Sequence, residues 1–242
     1  MGADRRGDGL PLSPGVPPAL QQTHHPAGRP SMTRPSPPSL LVLHGVRLLG
    51  LADNAAIAER AGVGHEETID ILHDAEQHGW VQYNSFAGLE GWSLTEEGRI
   101  ENERQLADER SSADPGDAIV AVYRDFLPIN ARFVRACTDW QVKPTSEDRL
   151  APNDHTDPAW DARILDELAA LSAALTPLIE RLAGVLTRFA GCDARFDAAL
   201  RRAQVGQNGW VDRTDIDSCH RVWFQLHEDL VATLGIDRRT EY

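Results

Sequence analysis

The chain has 242 residues, a formal net charge of −13, 41% hydrophobic and 25% charged residues. That length buries a substantial core and allows one or two domains. No apolar run reaches the roughly 20 residues of a membrane span, and the early arginines Arg5 and Arg6 are not followed by the apolar core of a secretory signal, so a cytoplasmic protein without membrane partner is expected.

Residues 1–38 are rich in proline, among them Pro11, Pro14, Pro17 and Pro18, and bury too little apolar surface to offset ordering, so a disordered tail is expected. Met32 is a second candidate start beside Met1. From Leu40 the pattern becomes helical. Leu40 to Leu49 predicts a first helix stopped by Gly50, and Asp53 or Asn54 caps a second through Ala61. Gly62-Val63-Gly64 is a turn. His65–His78 predicts a third helix with Ile69, Leu72 and Ala75 inward and Gly79 as its stop. Two short extended pieces, 80–83 and 91–94, form a hairpin joined by residues 84–90. Thr95 caps a fourth helix to about Arg110, and Ser111 to Asp117 reads as a linker.

Beyond the linker every strong signal is helical. Ile119 to Trp140 recur at helical spacing around Pro128, which either kinks one helix or begins its second half. Asp157-Pro158 and Thr176-Pro177 each place a capping side chain before proline, so helices are expected to begin near 158 and 177. Gly191 and Gly206 are expected stops, and Thr214-Asp215 opens a last helix that Gly235 closes. The fold class expected is mainly α: a winged helix-turn-helix domain over 39–110, then an all-α bundle over 118–242.

Three segments, Ile57-Ala58-Glu59-Arg60-Ala61-Gly62-Val63, Gly79-Trp80-Val81 and Leu94-Thr95-Glu96-Glu97-Gly98-Arg99, resemble the winged-helix domain of MarR-type transcriptional regulators. The resemblance covers roughly 70 residues and implies a homodimer that lays its third helix in the DNA major groove. Candidate DNA contacts are Arg47, Arg60, His65, Thr68, Gln82 and Arg99. Against this, residues 40–110 hold five arginines and 14 acidic residues, and the third helix has no basic side chain except histidine. Carboxylates repel phosphates, so a protein-binding adaptor is the competing expectation.

In the second half, His220, Phe224, His227 and Val231 share one stripe of the last helix and Cys219, Trp223, Leu226 and Leu230 the next, which makes that helix central. His220 and His227 read first as buried hydrogen-bonding histidines; the alternative expectation is that they and Glu228 meet Asp154, His155 or Asp157 of the loop 153–158 to bind an anionic ligand or a metal. Trp140 and Trp223 would line the ligand pocket so formed. The histidine spacing of seven is not that of a helical metal pair, so no metal and no cofactor are expected. Cys137, Cys192 and Cys219 are odd in number and far apart, as buried free thiols would be. Phosphate-loop, nucleophile-elbow and zinc-protease motifs are all missing, so no enzyme is expected. The segments Thr138-Asp139-Trp140-Gln141 and Asn153-Asp154-His155-Thr156-Asp157-Pro158 resemble stretches associated with actinobacterial enzymes that use phosphoenolpyruvate or pyruvate, which implies such an enzyme as a partner.

Overall fold

Apolar side chains at helical spacing, punctuated by glycine and capping residues, build a mainly helical protein with one two-stranded antiparallel sheet. The computed structural model describes residues 35–86 and 88–236, so residues 1–34 of the expected proline-rich tail lie outside the described residues, while Pro37 and Pro38 open the first helix. The N-terminal elements run α1 (Pro38–Leu49), α2 (Asn54–Ala61), α3 (His65–Gln77), β1 (Val81–Phe86), β2 (Leu89–Leu94) and α4 (Glu96–Ala113). Asp53 caps α2 by accepting from Ala56 N at 2.8 Å, and Thr95 caps α4 by accepting from Gly98 N at 2.9 Å. Gly62 ends α2 in the left-handed conformation at φ 64°.

The hairpin is longer than the sequence suggests. Pairing runs from Val81 with Leu94 out to Phe86 with Leu89, and Gly88 at φ 81° takes the left-handed conformation that the reversal needs. Trp92 ties the sheet back to the helices: its backbone pairs with Ala52, and its indole donates to Asn54 Oδ1 at 2.7 Å. Val42, Val46, Ile57, Leu72 and Val81 close the core beneath it.

The expected linker is partly helix and partly cap. Ser111–Ala113 are the last turn of α4. Asp114 is buried and accepts from Ala118 N and Ile119 N at 2.7 and 2.8 Å, holding the start of α5 (Ala118–Gln141). Pro128 sits inside α5 without interrupting it.

Next come α6 (Pro158–Ala183), a 3-10 turn at Thr187–Phe189, α7 (Cys192–Gln204), the short α8 (Gly209–Asp212) and α9 (Cys219–Leu234). The helix expected to begin at 177 is instead the second half of α6. Thr176 does not cap but donates to Ser172 O, and Leu171, Leu175, Leu178, Ile179 and Leu182 stay buried on one face across Pro177. Their joint burial exceeds the roughly 3 kcal/mol that an internal proline costs. Gly191, at φ 84°, starts α7 rather than ending a helix, and Ser218, not Thr214, caps α9. As expected, α9 is central, with its buried side chains facing α5, α7 and the N-terminal helices. All described residues belong to one compact unit. It holds two large apolar cores, 42–92 and 119–231, with Leu40, Leu106 and Ala232 packed together between them. No helix among the described residues is long and apolar enough to cross a membrane.

The start of α4 tests this packing directly, because a Cβ on Gly98 would stand 1.8 Å from Trp80 O. Gly98→Ala should therefore destabilise by about 3 kcal/mol, despite alanine's better helix propensity. Urea unfolding followed by circular dichroism reads this, and an unchanged or raised midpoint would refute the close approach.

Candidate functional site

Three surfaces or clusters stand out, and two of them hold the residues singled out by sequence. The first is the outer face of α3. His65, Glu66, Glu67, Asp70, His73, Asp74 and Glu76 are all exposed, and no arginine or lysine lies among them. The face continues onto the hairpin: His73 meets Trp92 edge-on at 5.8 Å, and Trp92 meets Tyr83 edge-on at 5.3 Å. Tyr83 and Leu89 stand exposed there, with Tyr83 and Ser85 both donating to Glu90.

Of the candidate DNA contacts, His65, Gln82 and Arg99 are exposed, and the other three require correction. Thr68 is 0% exposed, on the inner side of α3, and reaches no groove. Arg47 is buried and turned away, its guanidinium donating to Glu228 at 2.8 Å and Glu103 at 3.0 Å. Arg60 is half-buried within electrostatic reach of Arg195, Asp217 and Asp229; burial, with Arg195, lowers its pKa. A repulsive acidic surface thus faces out while two of the compensating cations face in.

The second cluster was not anticipated. It is a buried ionic network where the N-terminal helices meet α9. Arg188, on the 3-10 turn, donates to Asp229, to Glu109 Oε2 at 3.0 Å and to Thr233 Oγ1 at 2.7 Å. His44 of α1 sits 3.1 Å from Asp229 through Nε2 and 3.2 Å from Asn102 Oδ1 through Nδ1. Burial alone would raise the Asp229 carboxyl, but Arg188 and His44 outweigh it and hold it far below the ordinary carboxylate range. Burial likewise opposes the Arg188 charge, yet Asp229 and Glu109 leave its pKa raised. These partners lie 41 to 79 positions from Arg188, beyond any periodicity or local spacing that a sequence displays.

The third group splits in two. Trp140, Asp154 and His155 gather at the end of α5. There Asn153 donates to Trp140 O at 3.0 Å and to Asp161 Oδ1 at 2.9 Å, and His155 Nδ1 lies 2.9 Å from Asp161 Oδ2 with its ring 4.5 Å from Trp140. Asp154 accepts from both Thr156 N and Thr156 Oγ1, which lowers its pKa. Asp157 caps α6, accepting from Ala159 N and Trp160 N, and pairs with Lys143 at 2.8 Å. These are the bonds of a loop fastening two helices.

His220, Trp223 and His227 instead line a cleft of about 360 Å³ between α5 and α9, whose lining contains no residue of that loop. The expected joint pocket is therefore not formed: His155 is held by Asp161 and Trp140, Asp154 by Thr156, and Glu228 turns to Arg47. Among the described residues no three histidine, cysteine or acidic side chains are placed to hold a metal ion. Burial pushes the thiols of Cys137, Cys192 and Cys219 up to about 12.

No family model, curated protein or solved structure matches the chain.

The buried network carries a pH signature. Because the folded pKa of Asp229 is depressed, its contribution is present above the unfolded value of about 3.9 and is lost as pH falls towards the folded one. Asp229→Asn leaves Arg188 underpaired and should cost about 3–5 kcal/mol at neutral pH. The variant should also lose much of the wild-type decline in urea midpoint between about pH 5 and pH 2. Equal acid slopes in the two proteins would contradict the assignment.

Proposed function

We propose that the chain is a protein-binding regulatory module. The order of its first six elements resembles a winged helix whose third helix has been turned to binding protein instead of DNA. The observation that carries this reading is the charge of the exposed α3 face: five carboxylates, with Arg47 and Arg60 drawn inward. DNA affinity comes largely from neutralising phosphates, and a face of this sign opposes it. A basic protein surface matches it, and the exposed Tyr83 and Leu89 on the adjoining hairpin supply the apolar anchors that such interfaces favour. The resemblance of residues 138–141 and 153–158 to segments associated with phosphoenolpyruvate- or pyruvate-using enzymes makes an enzyme of that kind the partner we would look for first.

Two measurements decide between this reading and an operator-binding homodimer. Fluorescence anisotropy with a labelled duplex of the chain's own upstream region should detect no binding tighter than about 10 µM at low salt, whereas a DNA binder gives steep, salt-sensitive binding. Immobilised protein should capture a defined partner that is lost when Glu66, Glu67 and Asp70 are changed together to lysine. Saturable DNA binding, or partner recovery indifferent to the charge reversal, overturns the proposal.

A further inference from the structure

Around the start of α7 several buried donors meet no acceptor. Arg195, in the first turn of that helix, donates through Nε and Nη2 to the Asp217 carboxylate, at 2.8 Å each, and through Nη2 to Gln225 Oε1 at 2.7 Å. Arg195 Nη1 and Gln225 Nε2 are left shielded from water and without a partner, and Gln225 as a whole is 1% exposed. Arg60, near the end of α2, lies within electrostatic reach of Arg195. Its guanidinium forms no hydrogen bond or ion pair with any described residue, and its Nε is a third shielded, unpartnered donor.

An unmade buried donor costs free energy that the folded chain carries until an acceptor arrives. The charges point the same way. Arg60 and Arg195 repel each other, and Asp217 is the only carboxylate bonded to either. Asp229 is already shared by Arg188 and His44, and Glu59 stands exposed in solvent. Cys192, the first residue of α7, lies within reach of both arginines, but burial pushes its thiol up to about 12, so it adds no negative charge at neutral pH. The helix also begins without a side-chain cap, and the positive end of its dipole adds to the same field. Both arginines are only half-buried, so their guanidiniums can turn to admit an anion from solvent. A carboxylate brings one charge and two oxygens to this cluster, whereas a phosphoryl group brings charge for both cations and an oxygen for each of the three donors.

We propose that Arg60, Arg195 and Gln225 bind a phosphoryl dianion beside the start of α7, as free phosphate or as the head of a small phosphomonoester. The site is independent of the reading of the acidic α3 face, and either can fail without the other.

The test is thermal unfolding of the whole chain, with inorganic phosphate exchanged for sodium chloride at constant ionic strength. Phosphate should raise the wild-type midpoint saturably, and acetate should act about tenfold more weakly. Arg60→Met keeps the alkyl stem and removes the charge. Without phosphate this variant should unfold at or above the wild-type midpoint, because the repulsion with Arg195 is relieved. With phosphate it should lose most of the rise, its affinity falling about tenfold. The general effect of phosphate on protein hydration acts on both chains and cancels in the comparison. Methyl phosphate separates the two sources: a rise equal to that with phosphate supports a phosphomonoester as the guest, and its failure where phosphate succeeds supports the free anion. Equal rises in wild type and Arg60→Met, or an acetate response matching that of phosphate, overturns the proposal. So does a chain that ignores phosphate but binds duplex DNA through Arg60, since the arginines would then serve a nucleic-acid backbone.

Discussion

The structure turns on one buried set of charges, Arg188 between Asp229 and Glu109 with His44 on the far side of Asp229. Removing such groups from water is costly, and the cost is recovered only when every charge meets its partner. That condition can be met in one arrangement, with α1 and α4 seated against α9 and the 3-10 turn. Arg47 repeats the device beside it, joining α1 to Glu103 of α4 and Glu228 of α9. Leu40, Leu106 and Ala232 fill the apolar gap next to these ions. The junction therefore fixes the helix–hairpin unit to the bundle more firmly than the short connection at residues 114–117 would.

This arrangement explains which parts of the molecule were legible in the sequence. Elements set by local chemistry were readable: a cap at Asp53 or Asn54 and one at Thr95, the turn at Gly62, the helix end at Gly235, the apolar stripes of α1 and α9. The failures came where distant packing overrode a local signal. Thr176-Pro177 has the form of a helix start, but the uninterrupted leucine face of α6 carries the helix through it. Asp114-Pro115-Gly116 has the composition of a loose linker, but the Asp114 carboxylate is needed by two backbone donors of α5. Basic residues near a presumed nucleic-acid surface read as contacts until long-range partners claim them, as Glu228 claims Arg47 across 181 positions. The ligand candidates do not form one group. His220, Trp223 and His227 share a cleft, while Asp154, His155 and Trp140 are consumed in securing a loop.

The functional reading follows from the same division of charge. Cations that would have softened the α3 surface are spent inside the molecule, and what remains outside is an acidic helix continuous with an aromatic hairpin. The junction ties α1 and α4 to α9, and α9 also forms one wall of the cleft lined by His220, Trp223 and His227.

Hydrogen exchange tests the central claim most directly, because amides in one cooperative unit open with one free energy. If the Arg188 network locks the two parts together, the most protected amides of α1 and of α9 should exchange with the same opening free energy, and Arg188→Met should change both equally. Fast exchange in α1 beside full protection in α9, unaltered by the substitution, would show that the two parts unfold separately and would contradict the account.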